Sequence, residues 1–304
     1  MNNLFLQSLS NGLFNGILFG GIAVSLAVAH LSSRALHVAI GAVIALTAYQ
    51  WLALVGRGSP TLFGVLAIVV SAFGANWVFL AAYRWLFRRG VDEDGVIVGS
   101  FGLLTAGTAA LELAYGSEAY SLRAPWMLGS ISLDGLRISN IDLIVSTCIL
   151  LLLFALWFTT RLGSFGLQLR SIFHDIREAE IAGVNATLVQ VVAYAFCGAL
   201  VVVIALAIGS RASVTPQMGF FPLLIGIAAI VVGGMGSILA AFVGGFILGV
   251  IWDIVGIYWG TIWQIGAVFG ILGMMLLVLP EGLLPLLQRR ASKRTVDNLG
   301  AQSS

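Results

Sequence analysis

Five of the seven residues from His174 to Glu180 are titratable: His174, Asp175, Arg177, Glu178 and Glu180. Elsewhere charge is scarce, at 9% of 304 residues against 60% hydrophobic. Mixed charges on a short element suit recognition by a surface with a complementary charge pattern. Other groups capable of chemistry stand apart from one another. Glu112, Asp142 and Asp253 lie near the ends of apolar runs, and His30 and His37 flank a connection at 31–34. Cys148 and Cys197 sit inside apolar runs, as small buried side chains do, and two cysteines give no metal-site spacing. No carboxylate falls mid-span, where a proton- or sodium-coupled carrier would usually hold one. A P-loop needs lysine in G-x-x-x-x-G-K-[ST], and the only lysine, Lys293, is followed by Arg294. HExxH, CxxC and G-x-S-x-G are also absent, which leaves no motif for catalysis or nucleotide hydrolysis.

The elements that must position these groups are apolar runs at 8–31, 35–56, 60–83, 95–115, 141–160, 188–209, 221–235, 237–257 and 262–280. A bilayer core requires about 20 apolar residues per helix. The runs do not alternate as barrel strands would. The fold class is therefore all-α: a polytopic transmembrane helical bundle of 8–9 membrane segments with one or two broken or re-entrant helices. Residues 1–287 form the transmembrane domain, and 288–304 form a basic and then polar tail.

Sidedness follows from the basic residues. With 84–94, 161–187 and the tail in the cytoplasm, eleven lie inside: Arg34, Arg84, Arg88, Arg89, Arg161, Arg170, Arg177, Arg289, Arg290, Lys293 and Arg294. Arg57, Arg123, Arg137 and Arg211 lie outside. This bias requires 221–257 to enter and return within 37 residues, fewer than two full spans need. A single crossing would move the four tail charges out and leave 7 against 8. The pair 221–235 and 237–257 is thus expected to be short or broken, with the break at Gly233, Gly234, Gly236 and Ser237. Unwound backbone at membrane depth survives where it is buried in protein or lines water, so these four residues are candidates for a translocation path. His37 and Gly41, in "ALHVAIG", are the first-half counterpart. The run 35–56 either crosses or re-enters; only Arg34 changes side between the two, and charge leaves the side of the N-terminus open. Gly12, Gly16 and Gly20, and Gly245 with Gly249, have the four-residue spacing that lets helices approach closely.

The connection 161–187 carries Leu169, Ile172, Phe173, Ile176 and Ala179 at i, i+3, i+4, i+7 spacing, one face of a helix. Arg170, His174, Asp175, Arg177 and Glu178 take the rest, and Gly183 closes the element. A helix lying on headgroups would be mostly Lys/Arg on its polar face. The remaining readings are a plain solvated connection, which has no need of the apolar pattern, and a helix presented to a cytoplasmic partner, which fits the apolar face and mixed charges best.

The segment Asp175-Ile-Arg-Glu-Ala-Glu-Ile-Ala-Gly183-Val-Asn185 resembles the cytoplasmic motif of ABC importer permeases of the branched-chain amino-acid type, the LivH/LivM-like family. "PQMGFFPLLIGIAAIVVGGMGSILAAFVGGFILG" is similar to that family's "PxxG…GGxGSxxGAxxGG" segment, and the opening spans and the closing "LVLPEGLLP" resemble its ends. The chain departs at Arg177 and Glu178, where the family usually has Glu and Ala, and at His37–Gly41. The resemblance implies a permease subunit in a bacterial inner membrane that translocates branched-chain or related amino acids. It implies a second permease, identical or homologous, two cytoplasmic ATPase subunits that bind the ATP, and a periplasmic solute-binding protein; membrane lipid surrounds the chain, and nucleic acid has no part. Ile172, Phe173, His174, Asp175, Ile176, Arg177, Glu178, Ala179, Gly183 and Asn185 would couple the chain to the ATPase. This chain itself would hold no cofactor. The alternative is a stand-alone secondary transporter or channel for a small polar solute.

Overall fold

The computed structural model describes residues 2–55, 61–123, 125–127, 129–133 and 136–278. Its helices are α1 (Asn2–Ser33), α2 (Ile40–Val55), α3 (Leu62–Arg88), α4 (Glu93–Tyr115), α5 (Asn140–Leu162), α6 (Phe165–His174), α7 (Ile176–Ile181), α8 (Ala186–Arg211), α9 (Phe220–Gly233), α10 (Ile238–Tyr258) and α11 (Thr261–Val278). Between α4 and α5 lie a 3₁₀ turn, Pro125–Met127, and an antiparallel hairpin, β1 (Ser130–Leu133) with β2 (Leu136–Ser139). The basic tail, Arg57 and most of the closing "LVLPEGLLP" fall outside the described residues.

Among the described residues, seven helices are long and apolar enough to cross a membrane: α1, α3, α4, α5, α8, α10 and α11. The nine expected runs correspond to these seven plus α2 and α9. At 16 and 14 residues and about 1.5 Å per residue, α2 and α9 are about 24 and 21 Å long, short of the roughly 30 Å hydrocarbon core.

Contacts fix the direction of each helix. Arg34, just past α1, pairs with Glu93 at the start of α4, and Arg84 near the end of α3 donates to Thr187 at the start of α8. These define the inner end, named for its basic excess. At the opposite, outer end, Gln7 of α1 exchanges two hydrogen bonds with the Arg137 backbone of the hairpin, and Tyr49 of α2 stacks on Tyr115, the last residue of α4. The N-terminus therefore lies at the outer end, and 35–56 completes a crossing, which answers the question that charge left open.

Some helix starts carry side-chain caps. Asp92 Oδ1 accepts from the Gly95 N–H at 2.9 Å ahead of α4, and Asn185 Oδ1 accepts from the Leu188 N–H at 3.0 Å ahead of α8. The glycine spacing pairs α1 with α10. Gly12, Gly16 and Gly20 face Val250, Phe246 and Phe242, and Gly245 sits against the Phe19–Gly20 backbone. The two helices run antiparallel, and the rings of Phe242 and Phe246 fit against α1 only because the residues there are glycines.

Candidate functional site

The charged cluster sits at the inner end, and the structure alters its expected shape. One amphipathic helix becomes two, because the backbone of Asp175 is extended (φ −154°, ψ 122°) and ends α6. Asp175 Oδ1 accepts from the N–H of Arg177 at 2.7 Å and of Glu178 at 3.0 Å, which caps α7. These two amide donors, Glu178's first, hold the Asp175 carboxyl below the usual carboxylate range. Gly183 takes φ +88° and closes α7, a conformation in which a side chain is strained.

The apolar face does not point to a partner. Leu169, Ile172 and Ala179 are buried in a small core with Leu31 of α1 and Ala186 and Val189 of α8, and Phe173, Ile176 and Ile238 pack around it. Phe173 also meets His30 of α1 edge-on at 5.9 Å. Ile172 and Ala179, two of the residues expected to couple the chain to an ATPase, are thus covered by their own chain. A stripe of apolar residues says that something covers it, not what. His174, Arg177 and Glu178 are exposed, with Arg170, Glu180 and Ile181, while Asp175 is half-exposed. Asn185 is spent on the α8 cap.

Gly233, Gly234, Gly236 and Ser237 also lie at the inner end rather than at membrane depth. They form the turn from α9 into α10, with Gly234 at φ +114° and Ser237 Oγ near the Ala240 N–H at 3.5 Å. Ile238, the next residue, rests on the α6 core. The unwound backbone at depth lies elsewhere, where Gly219 ahead of α9 touches the backbone of Gly41 near the start of α2. A Cβ on Gly41 would come 3.1 Å from the Gly219 oxygen and 3.0 Å from Leu104. Leu104 is about 16 Å along α4 from Glu93 at 1.5 Å per residue, near the middle of the core. The two short helices therefore meet start to start.

His37 lies in the non-helical stretch before α2 and is wholly buried. Its Nδ1 is 2.9 Å from Tyr83 Oη of α3, and its Nε2 is 2.9 Å from Asn76 Oδ1 of α3. Asn76 Nδ2 donates to Ala72 O, so Oδ1 is its free acceptor and Nε2 carries the histidine proton. Tyr83 Oη–H then donates to Nδ1. Ser100 Oγ of α4 is 2.8 Å from Tyr83 Oη and accepts from the Ala39 N–H at 3.1 Å. The resulting chain of donors runs Ala39, Ser100, Tyr83, His37, Asn76 and satisfies every member with a neutral imidazole. Below it, Tyr194 of α8 donates to Ser33 Oγ, whose own proton goes to Ala29 O. This network ties the α1–α2 connection to α3, α4 and α8. Beneath it opens an inner cavity of about 510 Å³, lined by Ser33, Tyr83 and Gln190 and by both charge signs, among them Arg34, Arg88, Arg177, Glu93 and Glu180.

One cluster escaped sequence reading. At the outer end Arg211, closing α8, donates from Nε to Asp142 Oδ1 of α5 at 3.0 Å and from Nη1 to Asn15 Oδ1 of α1. Asn15 Nδ2 donates to Asp253 Oδ2 of α10 at 2.7 Å. The four residues come from four helices, and no spacing along the chain could announce them.

Among the described residues, seven helices of crossing length, two short apolar ones and charge confined to the ends define a multi-pass α-helical membrane protein. A sequence profile described as "Branched-chain amino acid transport system / permease component" matches residues 8–279, and the chain belongs to that family. It is 28% identical over 296 residues to the high-affinity branched-chain amino acid transport system permease protein BraD of Pseudomonas aeruginosa, covering 92% of this chain and 95% of BraD. It is 25% identical to LivH, the permease protein of the same description from Escherichia coli, over the same shares, and to LivH of Salmonella typhimurium. Among solved structures, PsaBC from Streptococcus pneumoniae in complex with Fab aligns over 90% of this chain and 92% of that one, at a TM-score of 0.49 and 14% identity.

Proposed function

We propose that this chain is the membrane-spanning subunit of an ABC importer of the bacterial inner membrane, and that it carries branched-chain or related amino acids. The solute class is that of its relatives BraD and LivH. The observation that carries the mechanism is the α6–α7 pair, which is seated on α1 and α8 by its apolar face and presents Arg170, His174, Arg177, Glu178, Glu180 and Ile181 outward. Two cytoplasmic ATPase subunits, which hold the ATP, grip this face; a second permease pairs with the chain; a periplasmic binding protein supplies the solute. A helix braced from behind transmits force into the bundle instead of yielding, and it does so at α1, α8 and the start of α10. The chain itself contributes no nucleotide site.

The test is reconstitution with the partner ATPases and binding protein. Solute uptake that needs ATP, and solute-stimulated ATP hydrolysis, are expected. Uptake at full rate by the chain alone, without ATPase subunits, would sink this reading and leave the stand-alone carrier.

A further inference from the structure

We propose that Asn15, Asp142, Arg211 and Asp253 form an outer clamp whose release belongs to each transport stroke. α1 and α10 touch backbone to backbone at three successive turns, at Gly12–Val250, Gly16–Gly249 and Gly20–Gly245, so the two move as one rod. The inner end of that rod rests on α6 through Leu31 and Ile238. A push on α6–α7 therefore arrives at the outer end of the same two helices, at Asn15 on α1 and Asp253 on α10.

There the rod is tied sideways by polar contacts. Arg211 of α8 forks between Asp142 of α5 and Asn15, and Asn15 bridges on to Asp253. Arg211–Asp142, at 2.5 Å, is one of two ion pairs among the described residues; the other, Arg34–Glu93, fastens the inner end of α1 to α4. The chemistry of the outer tie suits a releasable contact. Arg211 and Asp142 keep about 31% and 19% side-chain exposure, so water can take over their hydrogen bonds when the helices part. Beside the pair opens an outer cavity of about 350 Å³, lined by Ser139, Ser210 and Arg123. Deeper apolar and backbone packing has no such substitute. These four are positioning residues: they set how often the outer end opens.

The experiment reads opening directly. Ser146 lies one turn below Asp142 on α5 and is buried. In a chain with Cys148→Ser and Cys197→Ser, the thiol introduced by Ser146→Cys is labelled with a membrane-impermeant maleimide added to the outside of oriented vesicles. Adding Arg211→Ala is expected to raise the labelling rate about fivefold or more, the size of a modest population shift. Arg211→Lys, which keeps a cation beside Asp142, stays within about twofold of the parent. Labelling at the parent rate in Arg211→Ala overturns the clamp, as does equal opening by the Ala and Lys variants at equal yield and monodispersity.

The functional consequence rests on the importer reading. In the full complex, Arg211→Ala is expected to raise solute-free ATP hydrolysis about threefold and to lower solute moved per ATP. Labelling that rises in a chain that never engages an ATPase supports the clamp and overturns the importer reading instead.

Discussion

Gly245 of α10 lies against the backbone of Gly20 of α1: a Cβ added at Gly245 would come within 2.6 Å of the Gly20 nitrogen. With Gly16–Phe246 and Gly12–Val250, this contact makes α1 and α10 the most intimate helix pair among the described residues. Gly245→Val is therefore expected to force α1 and α10 apart and to cost about 1–3 kcal/mol, as overpacking does. Thermal unfolding followed by reaction of the buried Cys197 thiol with a fluorogenic dye checks it. An unchanged midpoint would mean that the helices are less tightly joined than the structure has them.

The His37 network makes a second prediction. His37→Ala strands Tyr83 Oη and Asn76 Oδ1, each a buried group that costs about 1–3 kcal/mol when unsatisfied. Tyr83→Phe also breaks the chain and leaves His37 Nδ1 without a donor, but the Ser100 hydroxyl can turn to a carbonyl of its own helix and no cavity is opened, so it should cost less than His37→Ala. The ranking is read from the same unfolding assay. Reversal of that order would show that the proton positions assigned to the chain are wrong.

The two faces of α6–α7 should separate under mutation. Ile181→Asp, on the exposed side, is expected to reduce co-purification of ATPase subunits at least tenfold while the permease still accumulates normally. Ile172→Asp, on the covered side, buries a charge and should lower the yield of the chain itself. Equal yields with equal loss of assembly would return Ile172 to the docking surface.

Asp175 sets the break between the two helices. Asp175→Ala should abolish amide protection over 176–181 in hydrogen exchange, and Asp175→Asn, which keeps the acceptor, should retain most of it. The folded carboxyl titrates below its unfolded value, so its stabilisation is present above the ordinary carboxylate range and is lost only as pH falls through the lowered value. Protection corrected for intrinsic exchange should be flat from about pH 6 to about pH 8. A transition within that window would assign the cap to another group.

The crossing helices were legible because an apolar run of span length has few other fates. Even the shortage of residues in 221–257 correctly foretold an interrupted pair. What the run of glycines could not reveal was depth: Gly233–Ser237 reads alike as a turn at the surface or a break in the bilayer. The segment that does enter, before Phe220, contains Pro216 and Gln217 and passes for an ordinary loop. The break at Asp175 was hidden by apolar spacing that continues straight through it, although Asp175 followed by Glu178 is a helix-start signature that could have exposed it. The outer clamp was out of reach, since it is assembled from residues as far apart in sequence as Asn15 and Asp253.

The abutting starts of α2 and α9 bear on how the chain matures. Neither helix is long enough to settle alone in a bilayer when it leaves the insertion machinery. Gly41 must wait for Gly219, so the first hairpin stays provisional until three quarters of the polypeptide has been synthesised. Ribosome stalling or truncation before residue 219 should thus leave even the earliest spans open to quality-control proteases.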